Sequence, residues 1–420
     1  MQIGQIWRPW RQLGFWGVFL VLVTWVTTAL AQPLLPFPQH QTYAAGSLQP
    51  SRWSQAQQDR HVLEFYRQWK ADYLVAVHSD DGLPQYRVSF GSQNPGRTVS
   101  EGQGYGMLIV ALMAGADPEA RALFDGLWRF ARAWPSDIDS RLMGWQIPID
   151  EEEGNDSAFD GDADIAYALL LASRQWPEGD YLAAAKEVLD GLLASAVGPD
   201  SDLPTFGDWV EPDGEEYNQW GTRTSDFMPA HFRAFAAMAD EPRWLDVRDR
   251  VLDVALALQQ QEAPRSGLLP DFAVVAQDGQ VYASPPNYLE TSYDGHYFFN
   301  AGRDPWRLGT EALLSAEPRA QQLAAGIAGG MRRITDADPA QMQSGYLLSG
   351  LPIPYETENS SFFMAPVGVG AMLLDDGQDW LDDLYEAVYR RHQDYYEDSV
   401  TLLCLLVMTG NYWDPVTATQ

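Results

Sequence analysis

Glu101 is the leading candidate in this sequence for a residue that does chemistry. It lies in the segment Ser-Glu-Gly-Gln-Gly-Tyr-Gly, residues 100–106, where three glycines within five residues let another backbone approach closely. A carboxyl group beside the aromatic Tyr105 at the start of a helix can be buried, and burial raises its pKa. A general acid needs that raised pKa to hold its proton near neutral pH. The residues alone leave a second interpretation open, in which Glu101 only caps the helix.

Three alternating acids, Asp160, Asp162 and Asp164, form a second candidate group. They resemble the start of a calcium-binding loop, but Ile165 stands where that loop needs glycine and Leu171 where it needs glutamate. A metal site therefore stays a minor alternative. We expect Asp162 and Asp164 to cap a helix N-terminus, where negative charge is favoured. Asp160, further out, is then free to hydrogen-bond a substrate hydroxyl.

The segment Asn-Ala-Gly-Arg-Asp-Pro-Trp-Arg, residues 300–307, opens another predicted helix, with Pro305 in its first turn. Arg303 is placed to hold a carboxylate through a bidentate hydrogen bond. The alternative is a surface arginine that pairs with a nearby acid. The chain also has 16 Trp and 19 Tyr, and such aromatic residues can line a cleft that stacks sugar rings.

Several other chemistries have weaker support, because the sequence motifs that mark them are absent. The glycine pattern of a dinucleotide-binding loop fails at Met107, and the chain has no G-x-S-x-G, H-E-x-x-H or P-loop motif. The formal net charge of −31 argues against a nucleic acid partner, because phosphates are bound by Lys and Arg. That charge indicates a strongly hydrated surface or, as a second explanation, attraction to a cationic polymer such as chitosan.

The N-terminal segment has the pattern of an export signal. Arg8 and Arg11 precede an apolar run that ends in Ala29-Leu30-Ala31, the small-x-small pattern read by a signal peptidase. We predict a signal peptide over residues 1–31 and a secreted or periplasmic protein. A retained membrane anchor is the alternative, since the run is almost long enough to span a bilayer. Residues 32–50, rich in Pro and Gln, are interpreted as a linker or a surface arm.

The remaining chain has a uniform texture in which helical periodicity recurs. Val62, Phe65, Tyr66 and Trp69, for example, follow i, i+3, i+4 spacing. The segments predicted to be helical are residues 61–77, 101–114, 118–134, 162–176, 181–196, 228–239, 243–260, 305–314, 318–334, 361–374, 379–391 and 399–408.

About a dozen helices with few strands indicate an all-α fold. The loops between alternate helices are long and carry Trp, Asp, Gly and Pro, which is typical of functional loops collected at one end. We therefore predict a single catalytic domain over residues 51–415, folded as an (α/α)6 barrel. A solenoid is disfavoured because the sequence has no exact internal repeat.

These segments together resemble glycoside hydrolase family 8, which contains cellulases, lichenases, chitosanases and some xylanases. Its signatures stand here, in the same order, at residues 100–106, at residues 158–162 followed by Ile165-Ala166, and at residues 303–307. The resemblance covers Ser51 to Trp413. It implies an (α/α)6 barrel, in agreement with the helix count, and hydrolysis with inversion of the anomeric centre.

The resemblance also implies roles for individual residues. Glu101 matches the general acid, and Asp160 matches the aspartate that binds and distorts the sugar at the cleavage point. Trp145 resembles the sugar-stacking aromatic of the family. Tyr105, Asn300 and Arg303 are expected to bind substrate as well.

The position of Asn300 is the main departure from the family pattern. In the cellulase-like branch the residue three before the matching arginine is the aspartate that acts as general base, and asparagine cannot accept a proton from water. In the branch that includes chitosanases and lichenases, asparagine occupies this place and a glutamate from a preceding loop is the base. We assign that role to Glu290, with Asp294 as the second candidate.

The sequence therefore predicts an endo-acting inverting hydrolase that cleaves β-1,4 linkages in cellulose or mixed-linkage glucan. A chitosanase, a catalytically inactive carbohydrate-binding barrel and a polysaccharide lyase are the alternatives. No metal or organic cofactor is implied, because a protonated carboxyl and a carboxylate suffice for the reaction. We expect a monomer whose partner is a β-linked polysaccharide, with no nucleic acid and, after removal of the signal, no membrane.

Overall fold

The computed structural model describes residues 32–79, 81–150, 154–276 and 278–418. The predicted signal peptide lies outside these residues. Within them, no helix combines the length and the apolar character that a membrane span requires.

Twelve α-helices occur in the described part of the chain. They are α1 (Gln55–Tyr73), α2 (Ser100–Leu112), α3 (Ala120–Ala133), α4 (Phe159–Gln175), α5 (Tyr181–Ser195), α6 (Pro229–Ala239), α7 (Arg243–Gln261), α8 (Asp304–Ser315), α9 (Pro318–Ile334), α10 (Ser361–Ala371), α11 (Gln378–Val388) and α12 (Tyr395–Met408).

Seven short strands lie in the loops between these helices, again counting only described residues. β1 (Leu74–Val77) pairs with β2 (Gln85–Val88), and β3 (Thr98–Val99) pairs with β4 (Gln146–Ile147). β5 (Gly221–Arg223), β6 (Phe272–Val275) and β7 (Val281–Ala283) form a three-stranded antiparallel sheet in that order.

The even-numbered helices form a closed inner ring. α2 packs on α4, α4 on α6, α6 on α8, α8 on α10, α10 on α12, and α12 returns to α2. Each odd-numbered helix packs on the outside of this ring, with α3 against α2, α5 against α4, and so on to α1 against α12. This arrangement is an (α/α)6 barrel, and it confirms the predicted fold.

The sequence explains which helices lie inside. In α10 and α12 nearly every side chain is apolar or small and buried, as expected of helices that are surrounded on all sides. An outer helix such as α3 buries one stripe, including Leu123, Phe124 and Leu127, and exposes its charged residues. The two helix types therefore differ by the width of the apolar face and not by helix propensity.

Residues 32–50 pack against the barrel. Leu35, Phe37 and Tyr43 are buried in its core. Backbone hydrogen bonds join Phe37 to Ala114 and Gln41 to Gly410, at 2.7 and 2.6 Å. Residues 32–50 were interpreted above as a linker or a surface arm. These contacts are those of an arm that is held to the domain.

Candidate active site

A cleft of about 500 Å³ opens where the N-terminal ends of several inner helices meet. Glu101 comes from the first turn of α2, Asp160 from the first turn of α4, and Tyr395 from the first turn of α12. Asn300 enters just before α8, and Glu290 comes from the loop after β7. The barrel therefore gathers these five side chains from four distant parts of the chain.

Two glycines allow α2 and α4 to approach closely behind Glu101. A Cβ on Gly161 would lie 2.2 Å from the Oγ of Ser100, and a Cβ on Gly104 would lie 2.7 Å from the Cβ of Asp164. Neither distance is possible for real atoms, so any side chain at these positions would push the helices apart. The glycines beside Glu101 and Asp160 thus set how near the two carboxyl groups can lie.

Glu101 is largely buried and is held by two neighbours. One carboxylate oxygen lies 2.6 Å from the Nη1 of Arg303, and the other accepts a hydrogen bond of 3.0 Å from the hydroxyl of Tyr395. Burial raises the pKa of Glu101 to about 7, although Arg303 and Tyr395 act in the opposite direction. Burial prevails, and the negative charge of Asp160 acts in the same direction. Glu101 can therefore hold a proton near neutral pH.

Asp160 is buried between two arginines. Its carboxylate lies 2.8 Å from the Nη1 of Arg303 and 2.9 Å from the Nη2 of Arg223. Burial alone would raise the pKa of Asp160, but the two guanidinium groups outweigh it and hold that pKa below its usual value. Asp160 is thus kept ionised beside Glu101, whose raised pKa lets it hold a proton near neutral pH. Two carboxyl groups in one site with separated pKa values can perform different tasks.

Asn300 joins Arg303 to Glu290. Its side-chain oxygen accepts a hydrogen bond of 2.9 Å from Arg303, and its side-chain nitrogen donates one of 2.8 Å to Glu290. Glu290 is half-exposed in the cleft, and its other oxygen lies 3.9 Å from the Nη1 of Arg223. The asparagine therefore orients a carboxylate that remains accessible to water.

Asp271 fixes the backbone around Asn300. This buried carboxylate accepts hydrogen bonds from the backbone N–H groups of Phe298, Asn300 and Ala301, at 2.9, 3.2 and 2.7 Å. Burial raises the pKa of Asp271 to about 7, against the effect of these three bonds. The position of Asn300 thus depends on a second acid that does not itself line the cleft.

Asp294, the second candidate for the general base, faces its own loop. It is almost fully buried and accepts hydrogen bonds from the backbone N–H groups of Leu289, Glu290 and Thr291, at 2.7, 2.9 and 2.7 Å. A carboxylate engaged in this way closes the turn that presents Glu290. It does not border the cleft.

Several expected contacts differ from those in the structure. Tyr105 and Arg303 are almost fully buried and, unlike Asp160, do not border the cleft, so neither offers the substrate contact expected of it. Arg303 does not hold one carboxylate in a bidentate pair, because its Nη1 is shared by Glu101 and Asp160. Tyr105 lies behind this arginine, with its hydroxyl 3.2 Å from the same nitrogen. Both residues support the cleft from beneath.

The contacts of the three alternating acids, Asp160, Asp162 and Asp164, also differ from those expected. Asp160 is not a free carboxylate, since both its oxygens contact arginines. Asp162 accepts a hydrogen bond from the backbone of Met143, and Asp164 pairs with Arg307. Capping was therefore the wrong expectation for Asp162 and Asp164. Each of the three acids has different partners, so they do not converge on a common point.

Several cleft residues were not found from the sequence, among them Arg223, Tyr395 and Tyr396. Arg223 lies at the end of β5 in no motif, and its pairing with Asp160 depends entirely on the fold. Tyr395 and Tyr396 begin α12, which was predicted to start only at residue 399. The signal that could have revealed them is Asp394, whose side chain accepts a hydrogen bond from the backbone of Tyr395 and marks the helix start.

The arrangement can perform acid–base hydrolysis. Glu101 borders the cleft with a pKa raised to about 7, and Glu290 is a half-exposed carboxylate that borders the same space. Trp145 lines the cleft and offers an aromatic surface. Two carboxyl groups that border one cleft are what glycoside hydrolysis requires.

Comparison with known proteins agrees with this chemistry. The family model for glycosyl hydrolases family 8 matches residues 35–300. A β-glucanase from Niallia circulans is 37% identical over 392 residues, which cover 92% of this chain and 93% of that protein. An endoglucanase from Bacillus sp. (strain KSM-330) is 33% identical, over 93% of this chain and 84% of that protein.

A solved structure shows the same fold. The apo structure of a β-1,3-1,4-glucanase from Paenibacillus sp. X4 has a TM-score of 0.85 and 36% sequence identity, and the match covers 91% of this chain and all of that one. The chain belongs to glycosyl hydrolases family 8 and is a glycoside hydrolase.

Proposed function

We propose that this protein is an endo-acting, inverting β-glucanase that cleaves β-1,4 linkages in mixed-linkage glucan or cellulose. Its relatives are named as a β-glucanase, an endoglucanase and a β-1,3-1,4-glucanase. The observation that carries the mechanism is the pair Glu101 and Glu290, which border one cleft and are joined through Arg303 and Asn300.

Glu101 acts as the general acid. It donates its proton to the glycosidic oxygen as the bond between that oxygen and the anomeric carbon breaks. Glu290 accepts a proton from a water molecule on the opposite face of the sugar, and the water oxygen forms the new bond to the anomeric carbon. Glu101 ends ionised and Glu290 protonated, and exchange with solvent restores both.

The other cleft residues hold this geometry. Asp160, kept ionised by Arg223 and Arg303, binds the sugar at the cleavage point, and its negative charge favours the positive charge that develops on the sugar ring. Asn300 orients Glu290. In this proposal the chain belongs to the branch of the family in which asparagine replaces the base aspartate and a loop glutamate supplies the base.

Chitosanase activity is the second candidate. Glu358, Asp394 and Glu397 border the cleft, and acids in such a place can attract a cationic polymer. Purified protein should be assayed on mixed-linkage glucan, carboxymethyl cellulose and chitosan, with reducing ends and viscosity followed together. We expect mixed-linkage glucan to be hydrolysed fastest, with an early fall in viscosity that marks internal cleavage. Absence of new reducing ends on all three would mean an inactive binding barrel.

We further propose that the protein is exported as a monomer, secreted or periplasmic, after removal of residues 1–31. The support is the pattern of basic residues, apolar run and Ala-Leu-Ala at the N-terminus. N-terminal sequencing of protein from the producing cells should begin at Gln32, and light scattering should give the mass of one chain. A mature protein that begins at Met1 would indicate a retained anchor.

A further inference from the structure

The wall of the cleft next to Glu101 contains a stack of flat side chains with an arginine inside it. The guanidinium of Arg97 lies 4.6 Å from the centre of the Phe90 ring and 5.1 Å from the centre of the Trp145 ring. The Phe90 ring in turn lies 4.7 Å from that of Tyr395, whose hydroxyl contacts Glu101. A continuous series of side chains thus runs from Trp145 to the general acid.

The backbone fixes this arrangement. Arg97 directly precedes β3, which leads into α2 and Glu101, and its carbonyl accepts a hydrogen bond of 2.9 Å from the backbone of Phe90. On the paired strand, the carbonyl of Trp145 accepts one of 2.9 Å from the backbone of Ser100. Arg97 therefore lies close to Glu101 along the chain, and the backbone of Trp145 is bonded to Ser100, the residue directly before that acid.

The charge of Arg97 is not neutralised by the described acids. No carboxylate of the described residues lies within ion-pairing distance of its guanidinium, although Glu358, Asp394 and Glu397 border the same cleft. Its Nε is buried and has no hydrogen-bond partner among those residues. Arg97 thus carries a charge and a donor that the described protein atoms leave unpaired in the wall of the cleft.

We propose that Arg97 is a specificity-determining residue that binds hydroxyl groups of a neutral glucan and rejects the ammonium groups of chitosan. The inference rests on the β-glucanase function proposed above. Held between two rings, the planar guanidinium can present its N–H edge to adjacent hydroxyl oxygens of a sugar beside Trp145. The same fixed positive charge repels a glucosamine unit in that position. Arg97 would thus oppose the attraction that the cleft acids exert on a cationic chain.

The test compares Arg97→Gln with the wild-type enzyme. kcat and KM are measured on mixed-linkage glucan, and a chitosan oligosaccharide is used as a competitive inhibitor at a pH at which its amines are charged. Loss of a charged hydrogen-bond donor should raise KM for the glucan about tenfold or more and leave kcat nearly unchanged. The inhibition constant of the chitosan oligosaccharide should fall by a similar factor.

Two further variants separate charge from shape. Arg97→Lys keeps the positive charge but loses the planar guanidinium group with its paired N–H donors. KM for the glucan should therefore rise, while the chitosan oligosaccharide should still bind weakly. Arg332→Gln removes a positive charge at the end of outer helix α9, where Arg332 pairs with Asp376 outside the cleft, and should leave both constants unchanged. Equal melting temperatures and tryptophan fluorescence would show that Arg97→Gln keeps the packing of Trp145.

The proposal is overturned if KM and the inhibition constant of Arg97→Gln both stay within twofold of the wild type. A rise in KM with an unchanged inhibition constant would contradict the part of the proposal that concerns chitosan. Failure of the wild-type enzyme to hydrolyse any β-glucan would instead overturn the proposed function, a result that does not depend on Arg97.

Discussion

At the scale of single residues, the site separates the protonation states of neighbouring acids. Glu101 and Asp160 both contact the Nη1 of Arg303, yet burial raises the pKa of Glu101 to about 7 while two arginines keep that of Asp160 low. The difference lies in Arg223, which contacts Asp160 and not Glu101. This second arginine in contact favours the ionised form of Asp160.

Replacement of Glu101 by glutamine should lower kcat on mixed-linkage glucan by about 10²–10⁴-fold, because the amide has no proton to transfer. The wild-type kcat/KM should fall above about pH 7, as Glu101 loses its proton on passing its pKa, and this alkaline limb should be absent from the residual activity of Glu101→Gln. Initial rates between pH 5 and 9 measure both effects. Near-normal turnover by Glu101→Gln would exclude it as the acid.

Removal of Glu290 should abolish hydrolysis while folding and glucan binding persist, because water then lacks a base. Azide, which attacks without giving up a proton, should restore some turnover of Glu290→Ala and yield a glycosyl azide detectable by mass spectrometry. Asn300→Ala is the matched comparison, since it keeps the Glu290 carboxylate but loses the bond of 2.8 Å that orients it, together with the bond of 2.9 Å from Arg303. It should retain partial activity without azide. Normal hydrolysis by Glu290→Ala would show that the base lies elsewhere.

At the scale of elements, the helices were largely predictable and their ends were not. α9 (Pro318–Ile334) was predicted to the residue, because Pro318 fits only the first turn and the apolar stripe is regular. α12 begins four residues before the predicted start, since its first turn carries Tyr395, Tyr396 and two acids and so lacks that stripe. Three residues of this turn, Tyr395, Tyr396 and Glu397, border the cleft. Prediction from apolar periodicity therefore failed where the helix contributes to the site.

The loop that carries Glu290 depends on Asp294. Asp294→Ala should also lose most activity, but through disorder of the turn whose three backbone N–H groups it binds. Azide should then fail to restore turnover, since the missing group is structural, and amide exchange at residues 289–291 should become faster. Rescue of Asp294→Ala by azide together with full activity of Glu290→Ala would make Asp294 the base.

The turn at Ile353-Pro354-Tyr355-Glu356 contains an unusual residue. The backbone of Glu356 donates a hydrogen bond of 3.3 Å to Ile353, and Tyr355 has φ of +73° with 96% of its surface exposed. Glycine is favoured at this position of a type II turn.

Tyr355→Gly should therefore stabilise the protein by roughly 1 kcal/mol and raise its melting temperature. Tyr282, an exposed residue of strand β7, serves as the comparison, because Tyr282→Gly should lower stability by about 0.5–1 kcal/mol. Thermal and urea unfolding measure both changes. A loss of stability in Tyr355→Gly would mean that the tyrosine makes stabilising contacts.

At the scale of the whole molecule, the barrel brings together parts of the chain that no sequence pattern relates. Periodicity identified the helices, but the closure of α12 on α2 brings Tyr395 to Glu101 across 294 positions of sequence. The motifs supplied Glu101, Asp160 and Arg303, because each stands beside glycine or proline at a helix start. Arg223 and Asp271 have no such local mark. Their roles follow only from packing between distant loops.

The stereochemistry of the product tests the central claim, that two carboxyl groups act on opposite faces of the sugar with a water molecule between them. Proton NMR of the first minutes of glucan hydrolysis should show the α-anomer of the new reducing end before mutarotation produces the β-anomer. This follows from attack by a water activated by Glu290 while Glu101 protonates the leaving oxygen. Initial accumulation of the β-anomer would mean retention through a covalent intermediate and would contradict the account.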